Sequence, residues 1–157
     1  MNIRTDLQPG DLSFLISSHT EHYLKVHGYA TPFENIIAKA VVEFYESYDP
    51  DQSRIWIVEE NGYRLGSLLL QDRGKEAHLR MFLLLPDARG SGIGRELLRR
   101  FIAFCHDKNY VSAYFWTTDE QVAAGKLYRS FGFRVTEEQV SEAFGRPLLN
   151  QRYELVF

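Results

Sequence analysis

The sequence contains a single cysteine, Cys105, so no disulfide can close within it. That excludes the small, disulfide-stapled secreted scaffolds and fits a reducing, cytoplasmic setting. Cys105 falls on the apolar side of a helical pattern with Leu98 and Phe101, as an inert core thiol would. Basic charge is not in excess: 18 Lys and Arg stand against 21 Asp and Glu, a net charge of −3. No nucleic-acid partner is therefore expected. No apolar run follows the first charged residues, so no signal peptide is read. No apolar stretch is long enough to span a bilayer, and no membrane partner is expected. Linkers, repeats and low-complexity segments are also missing, so residues 1–157 read as one domain.

Apolar residues are plentiful: 45% of the chain is hydrophobic and 14% aromatic, enough for a sizeable core. Residues 2–8 read as a short edge strand. Asp11 is placed to cap a helix over about 11–26, with Leu12, Leu15, Ile16, His19, Tyr23 and Val26 on one face. Gly28 sits where a C-cap belongs. Thr31 and Pro32 read as N-cap and first residue of a second helix to about 47, with the stripe Phe33, Ile36, Ile37, Ala40, Val41, Phe44 and Tyr45. Strands follow at 54–60, 63–70 and 77–85. The first two are joined by Asn61-Gly62, a strong hairpin signal. A helix over 92–107, a strand at 111–117, a helix over 120–130 and strands at 133–142 and 150–157 complete the order. The crossover helix between the fourth and fifth strands implies that these two run parallel.

The stretch with the most specific chemistry is Leu83-Leu84-Leu85-Pro86-Asp87-Ala88-Arg89-Gly90-Ser91-Gly92-Ile93-Gly94. An apolar strand enters alternating glycines and then a helix. Glycine lets the backbone adopt positive φ and approach a ligand closely. The first helical amides have no intrahelical partner, and the dipole favours negative charge there. Together these make an anion site suited to phosphate. Arg89 reads as an anion contact, Arg99 and Arg100 as a solvated helix face. The spacing G-x-G-x-G is not the G-x-G-x-x-G of dinucleotide folds, and a hairpin meander precedes it. Gly94 is followed by Arg95-Glu96, so a Walker A loop is also a poor reading. A plain tight turn is the weaker alternative.

Arg89 to Gly94 has the form R-x-x-G-x-G, and it resembles the acyl-CoA pyrophosphate motif of the GCN5-related N-acetyltransferase (GNAT) superfamily. The segment Ala123-Ala124-Gly125-Lys126-Leu127-Tyr128-Arg129-Ser130-Phe131-Gly132-Phe133 is similar to a second signature of that family, A-x-x-x-Y-x-x-x-G-F. The order of strands and helices matches as well, so the resemblance covers essentially the whole chain. More closely, the chain resembles the acetyltransferase domain fused behind MarR-type DNA-binding domains in bacteria, without the DNA-binding part.

The resemblance implies an α/β fold: a mostly antiparallel mixed sheet of about seven strands with about four helices, splayed between the fourth and fifth strands. It implies acetyl-CoA as co-substrate, with no metal, and direct attack of an amine on the thioester. Backbone amides of Arg89, Gly90, Ser91, Gly92, Ile93 and Gly94 would hold the CoA pyrophosphate. Phe82, Leu83 and Leu84 would pair with the pantetheine arm like an added strand. Tyr128 would be the general acid for the leaving thiolate. Thr118 stands where relatives often carry Asn, and no carboxylate lies in Leu79 to Leu85 where many carry Glu, which leaves the base open. His19, Tyr23, Glu34 and Trp116 are candidates for the acceptor site, with Tyr29, Phe33 and Phe144 as further apolar walls. The His19–His22 pair lacks the further ligands that zinc would need. The acidic run Glu43, Glu46, Asp49 and Asp51 reads first as a solvated helix end. The function expected is N-acetylation of a small amine or amino acid, in a protein whose partners are that amine and, at most, a second copy of itself. Peptide N-acetylation and a non-catalytic acyl-CoA sensor are the alternatives.

Overall fold

The computed structural model describes residues 1–157. Its elements run β1 (Asn2–Arg4), α1 (Asp11–His27), α2 (Thr31–Glu46), β2 (Arg54–Glu60), β3 (Tyr63–Arg73), β4 (Glu76–Leu84), α3 (Ile93–Asp107), β5 (Ser112–Thr118), α4 (Val122–Ser130), β6 (Arg134–Ser141) and β7 (Leu148–Val156). All seven strands join one sheet in the order β1-β2-β3-β4-β5-β7-β6. Every neighbouring pair is antiparallel except β4 and β5, as the crossover through α3 requires.

Strand alternation divides the apolar residues between two faces. Trp56, Val58, Leu68, Leu70, Ala77 and Leu79 pack with Leu97, Phe101, Cys105 and Tyr128 beneath α3 and α4. Ile55, Ile57, Leu69 and Met81 pack with Leu15, Phe33, Ile37, Val41 and Phe44 beneath α1 and α2. Cys105 is fully buried, and burial pushes its thiol up to about 12, so it is inert as expected. Asn61 and Gly62 both take positive φ, 52° and 81°, the geometry of a tight hairpin whose twist matches the strands.

Several local expectations are corrected. Gly10, at φ 93°, caps α1, and Asp11 is its first helical residue. The Asp11 carboxylate is committed elsewhere: it accepts from both Nη atoms of Arg4, from Nε of Arg64 and from the Gln8 amide. Thr31 likewise lies inside α2, whose cap is Ala30. Val26 and Tyr45 point away from the core, more than half exposed at 56% and 57%, because the apolar stripes stop one turn before the helices do. The first strand ends at Arg4 rather than residue 8, since the following residues turn to place that ion pair. β3 runs three residues past the expected end, to Arg73, paired with β4 throughout.

Candidate active site

The site begins where β4 and β5 part. They pair only through Glu76–Ser112, Ala77–Ala113 and His78–Tyr114. From Leu79 onward β4 keeps β3 on one side but has no ladder partner on the other. A bulge in the β3–β4 pairing accompanies the split, and Met81 there takes φ 54°. Positive φ costs a side chain like Met free energy, and such strain concentrates at functional sites. The Ser67 hydroxyl donates to Met81 O at 2.7 Å and holds the bulge in place.

Beyond β4, Pro86–Ala88 forms one turn of 3-10 helix, and the glycine loop leads into α3. Gly90 and Gly92 take φ 76° and 80°, with open space where a Cβ would stand. Gly94 serves a different purpose: a Cβ there would sit 3.1 Å from Leu84 Cδ1, so its absence lets α3 lie close on β4. The amides of Gly90 to Arg95 donate to no backbone carbonyl, and the first to do so is Glu96, to Gly92 O. The amide of Arg89 is not part of this free set, because it donates to Pro86 O at 3.1 Å. Arg89 Nε folds back onto Leu84 O at 3.0 Å. Arg99 and Arg100 pair with Glu96 on the outer face of α3, as expected of a solvated surface.

A cavity of about 460 Å³ opens into the split. Tyr128, Phe82 and Phe115 line it on one side, and His19, Tyr23, Tyr29 and Phe33 on the other. Tyr128 is buried in an aromatic cluster, 4.2 Å from Phe115 and 6.0 Å from Phe82 between ring centroids. Burial first, then Tyr23 and Tyr153, hold its phenol well above its ordinary pKa, so it keeps its proton. Its hydroxyl has no hydrogen-bond partner among the protein groups. Tyr29 stacks flat on Tyr23, 5.6 Å between centroids, and its hydroxyl shares hydrogen bonds with Thr118 Oγ1 and Glu120 Oε2, each 3.1 Å. Phe144, from the β6–β7 loop, stacks on Tyr29 at 5.2 Å and closes that end.

A model of the acetyltransferase (GNAT) family matches residues 19–133. The chain belongs to this family. An N-acetylaspartate synthetase from Danio rerio is 34% identical over 87 residues, covering 54% of this chain and 31% of that protein. The chain thus spans about a third of that relative's length. Among solved structures, a ribosomal-protein-alanine N-acetyltransferase from Brucella melitensis superposes with a TM-score of 0.76 over 100% of both chains, at 19% identity. A spermidine N-acetyltransferase variant from Vibrio cholerae gives 0.71 over 99% of this chain and 95% of that one, at 21% identity. These two show the shared fold. The match places the chain in a family of acetyltransferases that take acetyl-CoA as co-substrate.

The GNAT fold brings Tyr128, Phe82, Thr118, His19, Tyr23 and Trp116 to one cavity. Leu83, Leu84 and the glycine loop lie outside its lining, at the β4 end and the start of α3. Glu34 is not brought there: it is exposed on α2, beside the stripe containing Phe33, Ile37 and Ala40 and outside the cavity lining. Glu43 is not simply solvated. Burial pushes its carboxyl up, but Arg73 and Arg80 outweigh that and hold it below its ordinary value. Sequence reading missed Arg80, His78, Gln121, Gln139, Ser141 and Asn150 in the lining. For Arg80 a signal existed: it is the lone Arg in the apolar run Ala77–Leu85.

His19 is the most buried polar group here, 3% exposed. Its Nδ1 meets Leu15 O at 2.8 Å, which makes that nitrogen the N–H donor in the neutral ring and leaves Nε2 as a lone-pair acceptor. Nε2 is buried without a protein partner. Burial lowers the His19 pKa to about 4. The unfolded chain, with the ordinary histidine value of about 6.5, binds this proton first. Stability therefore falls as pH drops from about 6.5 to 4, by roughly 3 kcal/mol at the lower end for this group. Urea midpoints for the wild type and His19→Gln between pH 7 and 4.5 should converge as pH falls.

Proposed function

We propose that the protein transfers acetyl from acetyl-CoA to a small primary amine by direct attack of the amine nitrogen on the thioester. The observation that carries this reading is the split between β4 and β5, with the protonated Tyr128 phenol buried in it and continuous with the cavity. The free amides of Gly90 to Gly94, at the start of α3, would bind the pyrophosphate with the help of the helix dipole. The unpaired edge of β4 through Phe82, Leu83 and Leu84 would pair with the pantetheine amides as a strand does. Thr118 would border that arm at the end of β5.

Acetyl-CoA would supply the acetyl thioester: the N–C bond forms as the C–S bond breaks, CoA departs as the thiolate, and the proton shed by the acetylated nitrogen restores the Tyr128 phenol. Tyr128 would give its proton to the departing sulfur. His19 Nε2, a neutral acceptor, would take a hydrogen bond from the amine N–H and orient the nitrogen lone pair toward the carbonyl carbon. Tyr23, Phe33 and Trp116 would wall the amine's carbon skeleton and exclude water. The relatives' names span N-acetylaspartate, ribosomal-protein alanine and spermidine, so they do not choose the acceptor. A pocket of about 460 Å³ has the size of a small-molecule site.

Two measurements test this. CoA should raise the melting temperature, because a ligand bound only to the native state stabilises it by mass action. Free thiol should then be released from acetyl-CoA when small amines are added. The absence of a CoA shift would sink the reading, and a shift without thiol release from any amine would favour an acyl-CoA sensor.

A further inference from the structure

The cavity has unmet bonding capacity beyond what the thioester chemistry uses. Its lining contains no aspartate or glutamate. It does contain Arg80, whose buried Nη1 faces one carboxylate, Glu43, outside hydrogen-bond geometry. The ionic neighbour of Arg80 is Glu43, 3.4 Å away and already bound by Arg73. Two guanidinium groups thus share one carboxylate, which leaves net positive charge on this wall. His78 lines the same wall and adds no negative charge. Burial, then Arg80, Arg73 and Arg152, push it down to about 3, so it is neutral. A cationic acceptor entering here would meet Arg80 with no carboxylate in the lining to offset it.

The unmet atoms are of two kinds. The Arg80 guanidinium is a charged donor group that shares its one carboxylate, Glu43, with Arg73. His19 Nε2 is an acceptor in need of an N–H, its tautomer set by the bond to Leu15 O. The Asn150 side-chain amide, also unpartnered at Oδ1, can serve either kind. One small molecule that satisfies both carries an amine and a carboxylate. We propose that the acceptor is an amino acid or a similarly small amino-carboxylate, with Arg80 binding its carboxylate. This rests on the acetyltransferase reading above and names its substrate class.

The test compares each free amino acid with its own carboxamide, using glycine, alanine, aspartate and glutamate, with spermidine as a cationic control. Thiol release from acetyl-CoA gives kcat/KM. The acid should exceed its amide by about 10-fold or more, because two guanidinium groups on one carboxylate leave surplus positive charge that a carboxylate offsets and a neutral amide does not. Arg80→Gln should erase that ratio, and Arg80→Lys should keep part of it. The melting-temperature rise with CoA should survive in both variants, which shows that they fold and bind the donor. Equal rates for acid and amide, a preference for spermidine, or an unchanged ratio in Arg80→Gln would each overturn the inference while leaving the acetyltransferase reading intact. If no amine is turned over, amino-acid binding is read directly from melting temperature, and the lack of a carboxylate-dependent shift overturns the inference. A failed CoA shift overturns both.

Discussion

Tyr128→Phe is expected to slow acetyl transfer by about 10²–10⁴-fold while leaving the fold and CoA binding in place. The ring packs against Phe115, Phe82, Phe133 and Tyr153, and phenylalanine preserves all of those contacts. The hydroxyl donates to no protein group, so its removal breaks no internal bond. What is lost is a proton positioned in the split between β4 and β5. A proton donated only as the thiolate leaves is an interaction of the transition state, so kcat and kcat/KM should fall together with little change in KM. The wild-type profile carries a second signature. Because burial holds the phenol above its ordinary value near 10, activity should not decline from Tyr128 ionisation between pH 7 and 10. A variant as fast as wild type across that range would remove Tyr128 from the reaction.

The largest effect on stability is expected at Asp11. Its carboxylate is fully buried and holds together three distant pieces of chain: Arg4 on β1, Arg64 on β3 and the turn before α1. The Arg4 side chain is itself only 8% exposed. Asp11→Ala leaves that guanidinium buried with Glu59 as its remaining carboxylate partner. Breaking a buried pair from one side costs about 3–5 kcal/mol, a large part of the roughly 5–15 kcal/mol that holds a domain folded. Burial pushes the Asp11 carboxyl up, but its hydrogen bonds from Arg4, Gln8 and Arg64 outweigh that and lower it. Its contribution is therefore full above the ordinary aspartate value of about 3.9 and is lost as pH falls through the lower native value. Urea unfolding at pH 7 measures the loss, and a change below about 1 kcal/mol would show that the network adds little.

Arg80 and Asp11 mark where sequence reading stopped. The glycine loop was legible because its chemistry is local: positive φ at Gly90 and Gly92 and free amides at the start of α3 follow from residues adjacent in the chain. The Asn61-Gly62 hairpin and the Gly28 cap were legible for the same reason, and the parallel β4–β5 pair was legible from the helix that crosses between the two strands. Tyr128 could be named from its motif but not placed, since its neighbours Phe82, Phe115 and Tyr153 come from three strands. Asp11 looked like a cap because sequence shows a helix start and not the arginine across the sheet that claims the carboxylate. Glu34 looked like a site residue because helix periodicity alone does not say which face the cavity will take.

The sequence by itself determined the family, the order of strands and helices, and the loop suited to a pyrophosphate. Each depends on contacts within a few residues, where backbone geometry and side-chain spacing leave few alternatives. Tertiary structure alone decided what the other end of the cavity contains. His19 from α1, Arg80 from β4 and Asn150 from β7 line it together, and the partnerless His19 Nε2 and Asn150 Oδ1 exist only once the sheet buries them. The anion site proposed for the donor is a property of one stretch of chain, while the cavity proposed for the acceptor is a property of the packing.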